Sequence, residues 1–140
     1  MSDETTTVGA LRRAMADFVA ARDWQTYHTP KNLSISIAIE SAELMELFQW
    51  LTPEASLAAL DDPATRAEVA DELADVVIYC LSMSNACGID ISDAVLAKLA
   101  RNETRFPVDA FRGRYRKPER DKRTASTAST ASAARPAEDG

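Results

Sequence analysis

Apolar residues over roughly the first hundred positions recur at helical rather than strand spacing, and few Gly or Pro interrupt them. From 8 to 21 the pattern is amphipathic, with Leu11, Met15, Phe18 and Val19 on one face. Three later segments open with an oxygen-bearing residue followed by proline: Thr29-Pro30, Thr52-Pro53 and Asp62-Pro63. The side-chain oxygen caps an amide of the first turn, and proline suits the first helical position because its missing N–H would lack a partner anyway. These signals predict long helices over 30–51 and from 63 to near Gly88, joined by a short helix over 52–60. A last helix, capped by Asp90 or Ser92, stops before Pro107. The expected fold class is therefore all-α, a bundle of four main helices.

The helices over 30–51 and 63–88 are apolar on nearly every face. One carries Leu33, Ile35, Ile37, Ile39, Leu44, Met45, Leu47 and Phe48; the other carries Val69, Leu73, Val76, Val77, Ile78, Leu81 and Met83. A helix apolar on several faces is buried on several faces, and four helices of one chain cannot cover two of them, so a second subunit is expected. Into these two helices are set Glu40 with Glu43 and Glu72 with Asp75. Residues three apart share a helix face, so each pair offers neighbouring carboxylates to one point. The short connection predicts an antiparallel arrangement. At 1.5 Å per residue, Glu43 lies roughly 12 Å before the end at Leu51 and Glu72 roughly 13.5 Å after the start at Pro63, which brings the pairs level. Two facing pairs make an oxygen-only ligand set, which suits a hard divalent cation and above all Mg²⁺. The ordinary fate of helical acids is a solvated stripe or a salt bridge. Two level pairs on apolar helices argue for a metal site instead, because unpaired buried charge is costly.

Composition narrows the setting. A chain of 140 residues with 46% hydrophobic content is one domain's worth with an ordinary core. Residues 1–111 hold eight Lys or Arg against eighteen Asp or Glu, a net charge of −10, whereas 112–140 hold eight against four, a net of +4. An acidic body argues against nucleic-acid binding, since phosphate backbones require a positive surface. No apolar run reaches a membrane span and the N-terminus lacks a basic region leading into an apolar stretch, so a cytoplasmic protein with no membrane partner is expected. Cys80 and Cys87 lie about 10 Å apart along one predicted helix, too far for a disulfide, and are expected to be reduced core residues. With His28 the only histidine, a Cys/His zinc site is a poor fit. The body, 1–111, forms the expected domain. The segment 112–140 is first basic, then rich in Ser, Thr and Ala, and is expected to be disordered because it cannot bury enough apolar area.

Three strings carry more than composition: Arg22-Asp23-Trp24-Gln25-Thr26-Tyr27-His28-Thr29-Pro30-Lys31-Asn32-Leu33, then Glu40-Ser41-Ala42-Glu43-Leu44-Met45-Glu46-Leu47-Phe48-Gln49-Trp50, then Asp71-Glu72-Leu73-Ala74-Asp75-Val76-Val77-Ile78-Tyr79. Together with Lys98, Asn102 and Arg105-Phe106-Pro107 they resemble the MazG-like all-α nucleoside triphosphate pyrophosphohydrolases, with the nearest likeness to the dCTP pyrophosphatase branch. The resemblance runs from about 11 to 107. It implies Mg²⁺-dependent cleavage of a nucleoside triphosphate between the α and β phosphates, yielding a monophosphate and pyrophosphate. Glu40, Glu43, Glu72 and Asp75 stand at the magnesium-binding and catalytic positions, with Glu46 one turn beyond Glu43.

The resemblance further implies that Trp24, His28, Trp50 and Tyr79 meet the base and sugar; Asn32 belongs to the expected substrate-binding set, and Lys31, like Lys98, could reach pyrophosphate oxygens, although an ordinary surface lysine would look the same. Taken from the residues alone, each aromatic is more often core than ligand. Lys98, Asn102 and Arg105 recur at i, i+4 and i+7, a stripe whose charge and reach suit pyrophosphate oxygens, although a solvated cationic face would look the same. Tyr79 and Trp50 share stripes with the acids but point to opposite ends of the cage, so one of them is expected to serve a neighbouring chain. Met15 stands where relatives selective for dCTP have a polar ring residue, which weakens transfer of cytosine selectivity. The family also implies a homo-oligomer, a tetramer built as a dimer of dimers. Two other classes compete. A di-iron carboxylate bundle needs Glu-x-x-His twice, and no long helix here holds a histidine. A non-enzymatic helical dimerisation or regulatory module requires that no triphosphate be turned over.

Overall fold

The structure, a computed structural model, describes residues 2–113. The basic and Ser/Thr/Ala-rich segment expected to be disordered lies, from 114 onward, outside the described residues. The chain divides into two compact units, Met1–Ala100 and Arg101–Gly140. Six helices are described: α1 (Val8–Ala20), α2 (Pro30–Glu46), α3 (Pro53–Ala59), α4 (Pro63–Cys87), α5 (Ile91–Arg105) and α6 (Val108–Phe111). No strand occurs among the described residues, so the chain is all-α.

The cap chemistry read from the sequence is present atom by atom. Thr29 Oγ1 accepts from the Asn32 amide at 3.4 Å, Thr52 Oγ1 from Ala55 at 3.2 Å, and Asp62 Oδ2 from Thr65 at 3.1 Å, each with proline in the first turn. Thr7 caps α1 in the same way, through the Ala10 amide at 3.1 Å. α4 ends at Gly88, whose φ of 63° is the left-handed cap conformation that glycine adopts without steric cost. Asp90 caps α5, its Oδ1 accepting from the Asp93 amide at 3.1 Å.

One boundary differs from expectation. α2 stops at Glu46 rather than Leu51, and 47–50 form turns closed by Gln49 N–H to Met45 O at 2.9 Å and Leu51 N–H to Phe48 O at 3.0 Å. The cause lies downstream. A residue before proline is driven out of the helical region, and Thr52, at ψ 160°, is fully extended ahead of Pro53, so the chain must leave α2 and turn before reaching it.

Within the first unit α2 and α1 both pack on α4. Arg12 and Asn85 fasten α1 to α4: Arg12 Nε donates to Asn85 Oδ1 at 3.0 Å and the Asn85 amide donates to the Arg12 carbonyl at 2.9 Å. Val19, Leu33 and Leu81, one from each of these helices, are the buried apolar side chains among the described residues. Much of the remaining apolar surface is open, including Ile35, Ile39 and Met45 on α2, Leu73, Val77 and Ile78 on α4, and Val95, Leu96 and Leu99 on α5. Cys80 and Cys87 are free, as expected, but exposed rather than in the core of a single chain. In the second unit Phe106 and Phe111 meet edge to face at 5.2 Å.

Candidate active site

α2 and α4 bring Glu40, Glu43 and Glu72 together, with one oxygen from each lying within 4.8 Å of the others. Glu40 and Glu72 are half-buried and Glu43 is exposed. One oxygen of Glu72, Oε2, is shielded from solvent and accepts no hydrogen bond. A buried carboxylate oxygen is normally satisfied, and this one has no hydrogen-bond partner among the described residues.

Electrostatics point the same way. The Glu40 carboxyl is held above its ordinary value first by desolvation, then by Glu43, Asp75 and Glu72. Glu72 is raised by desolvation first and then by Glu43, Asp75, Asp71 and Glu68. The charged neighbours that raise these two carboxyls are all acidic. Such a cluster resists full ionisation on its own and is relieved by a cation. The donor set, all carboxylate oxygen with one atom orphaned, fits a hard divalent metal.

The expected fourth ligand, Asp75, does not join the three converging oxygens, although its charge acts on Glu40 and Glu72. Helix spacing brings it to the neighbourhood, and its side-chain direction decides the rest.

The other expected contacts are dispersed. The ring of Trp24 meets Phe18 edge to face at 6.1 Å, and Arg22 stacks 3.5 Å above the Phe18 ring. Asp23, before it, has a φ of 53°, the left-handed conformation that an aspartate tolerates at a tight reversal. Asn32 is engaged locally, its amide donating to the Tyr27 carbonyl at 3.0 Å, so it braces the loop that precedes α2. His28 is half-buried beside the start of α2, Lys31 is exposed on its first turn, and Tyr79 is half-buried on α4. Trp50 is 87% exposed and sits in the turns after α2. The helical stripe expected to join it to Glu43 is therefore absent. Lys98 is exposed on α5 in the first unit. Asn102 and Arg105 belong to the second, where Arg105 lies 5.2 Å from the centre of the Phe106 ring. The sequence reading passed over Ser82, a buried polar residue of α4 whose hydroxyl has no partner. Its only signal was a small polar residue within an apolar run.

Residues 35–117 match the family model described as the MazG-like family. Bos taurus dCTP pyrophosphatase 1 is 39% identical over 107 residues, covering 76% of this chain and 63% of that protein. The Homo sapiens dCTP pyrophosphatase 1 is 39% identical over 111 residues, covering 79% and 65%. The chain thus spans less than two thirds of the length of these relatives. A pyrophosphatase crystal structure from Archaeoglobus fulgidus superposes with a TM-score of 0.68 at 36% identity, covering 76% of this chain and 98% of that one. By sequence, by helical architecture and by the acids that α2 and α4 bring together, the chain belongs to the MazG-like family.

Proposed function

We propose that this chain is a Mg²⁺-dependent nucleoside triphosphate pyrophosphohydrolase, splitting the α–β phosphate bond to release a nucleoside monophosphate and pyrophosphate, with dCTP-type nucleotides among its substrates. The observation that carries the reading is the convergence of Glu40, Glu43 and Glu72 to within 4.8 Å. The dCTP pyrophosphatase relatives support the substrate class. When bound, the cation supplies neutralisation of phosphate charge and acidification of the attacking water. The protein's own part is to orient. Glu40, Glu43 and Glu72 fix the ligand oxygens from two helices, and Asp75 completes the acidic wall one turn beyond Glu72. Lys31 and Lys98 offer ammonium groups to phosphate oxygens, and Trp24 and His28 offer flat faces to the base. A reducing, cytosolic setting agrees with the two free cysteines.

The exposed apolar faces of α2, α4 and α5 support a homo-oligomer, a tetramer of paired dimers, in which the exposed Trp50 serves a neighbouring chain's site. Light scattering at micromolar concentration tests the assembly: a monomeric mass with full turnover would defeat it. The reaction is tested by measuring pyrophosphate release with Mg²⁺ across canonical and modified nucleoside triphosphates. Glu43→Gln removes one ligand charge and should lower turnover by orders of magnitude with the helices intact. Turnover within tenfold of wild type would refute the metal assignment. Absence of release from every triphosphate would leave a non-enzymatic helical module instead.

A further inference from the structure

Within 1–111, where acids outnumber bases, Arg12 and Arg13 of α1 are the only two basic residues adjacent in sequence. Neighbours in sequence point roughly 100° apart around a helix and do not ordinarily serve one ligand. The fold brings these two to one place. Both line a cavity of about 230 Å³ between α1 and α4, together with Gly9 and Ala16 of α1 and Asn85 of α4. No acidic side chain lines it.

The two arginines reach the cavity by different routes. Arg12 is half-buried and pinned on the α4 side, its Nε donating to Asn85 Oδ1 at 3.0 Å while the Asn85 amide donates to the Arg12 carbonyl at 2.9 Å. A guanidinium carries several N–H donors, so the forked end of Arg12 remains available. Arg13 folds back along its own helix: a Cβ placed on Gly9 would lie 3.5 Å from its Nη1. Glycine has no such atom, and the space beside that guanidinium stays open. Asp17 stands one turn after Arg13, yet neither arginine forms an ion pair among the described residues. Two positive forks thus border one cavity, and no carboxylate of the first hundred residues neutralises them.

We propose that this cavity is a binding site for a phosphate-class oxyanion, held between the guanidiniums of Arg12 and Arg13. The planar fork of an arginine matches two oxygens of one phosphate, and an arginine already held by Asn85 loses less freedom on binding than a free one. Gly9 lies in the first turn of α1, where the positive end of the helix dipole adds to the attraction. The site is separate from the carboxylates. Asn85 follows Glu72 by thirteen residues on α4, roughly 20 Å of helical rise and farther than one triphosphate group reaches. A bound anion therefore leaves the acids free and draws α1 and α4 together, whichever reaction the acids carry out.

The test uses the full-length chain freed of divalent metal by dialysis, a condition in which the uncompensated acids repel anions. Inorganic phosphate and pyrophosphate are titrated by calorimetry at constant ionic strength set with sodium chloride. The wild type should bind both saturably. Arg13→Gln should weaken binding about tenfold, the scale of one lost hydrogen bond to a charged group. Arg13 is exposed and braces no other residue described, so this variant should fold, and circular dichroism verifies it. Arg12→Gln should weaken binding as well. Arg66→Gln, an exposed arginine near the start of α4 and outside the cavity, should leave both Kd values unchanged. Phosphate should also raise the melting temperature of the wild type more than that of Arg13→Gln. Either ranking of the two probes supports the site, tighter pyrophosphate marking a ligand with linked phosphates and equal binding a single phosphate group. A wild type with no saturable binding at millimolar concentrations would overturn the proposal. So would Kd values within twofold of wild type in Arg13→Gln, or equal weakening in Arg13→Gln and Arg66→Gln, which would mean diffuse attraction only.

Discussion

The acid cluster makes stability depend on pH and on metal in a direction that can be worked out. Glu40 and Glu72 have carboxyls raised above their ordinary values in the folded protein, by desolvation first and by acidic neighbours second. Between the ordinary value of 4.5 and the raised one, the folded state holds protons that the unfolded state has released. Stability from these groups is therefore fully present below about pH 4.5 and is lost as pH rises through the folded values. A cation that binds only the folded chain reverses the loss. At a concentration 100 times its dissociation constant it contributes about 2.7 kcal/mol. With 1 kcal/mol shifting the melting temperature of a domain of 60–100 residues by roughly 4–8 °C, the expected rise is on the order of 10–20 °C. The assay is thermal unfolding by circular dichroism at fixed protein concentration, in chelator and in saturating Mg²⁺, from pH 4 to 8. Glu72→Gln removes the orphaned oxygen's charge and breaks the triad. Relative to wild type in chelator, it should gain stability as pH rises, and its response to Mg²⁺ should largely vanish. Equal Mg²⁺ responses in both proteins, or a pH-independent difference between them, would refute the cluster as a cation site.

Other perturbations separate core, cap and ligand contact. Leu33, at 2% exposure the most completely buried apolar residue described, should cost about 2–5 kcal/mol as Leu33→Ala, read from denaturant titration. Asp62→Ala removes the cap from Thr65 and should lower the melting temperature by a few degrees. Because the Thr65 backbone amide and then its hydroxyl depress the Asp62 carboxyl, that difference is present above about pH 3.8 and disappears as pH falls through the depressed folded value. Trp50→Ala should leave the unfolding of a single chain nearly unchanged while raising the nucleotide KM by about 1–3 kcal/mol of lost stacking; an unchanged KM would remove Trp50 from the site.

Local chemistry was the legible part of the sequence. Thr29, Thr52 and Asp62, each followed by proline, marked three helix starts because a cap is decided within four residues. The meeting of Glu40, Glu43 and Glu72 also followed, since it needs only helical rise and a short connection between two helices. The end of α2 was harder. Leu47, Phe48 and Trp50 continue an apolar pattern, and the break arises from the extended residue that Pro53 demands further on. Asp75 illustrates another limit: spacing fixes the face of a helix but not where a flexible carboxylate points. Cys80 and Cys87 read as core because the run around them is apolar, yet burial depends on what packs against that run, which periodicity does not specify. Ser82 was invisible for a similar reason, as an unpartnered hydroxyl exists only once the surrounding helices are in position.

The same helices that assemble the site leave large apolar residues open in a single chain. α2 presents Ile35, Ile39 and Met45 to solvent, and α4 presents Leu73, Val77 and Ile78, flanking the residues that carry the acids. Two liabilities thus coincide on one pair of helices: clustered negative charge and uncovered apolar area. Either would weaken an isolated chain, the first through repulsion that grows with pH and the second through area left in water. Both are relieved by binding, a cation in one case and apolar surface in the other. Because α2 and α4 share their packing, ordering either face stiffens the helices that hold the other. Metal affinity and self-association should therefore be positively linked, each raising the other by the same factor, as reciprocity of binding free energies requires.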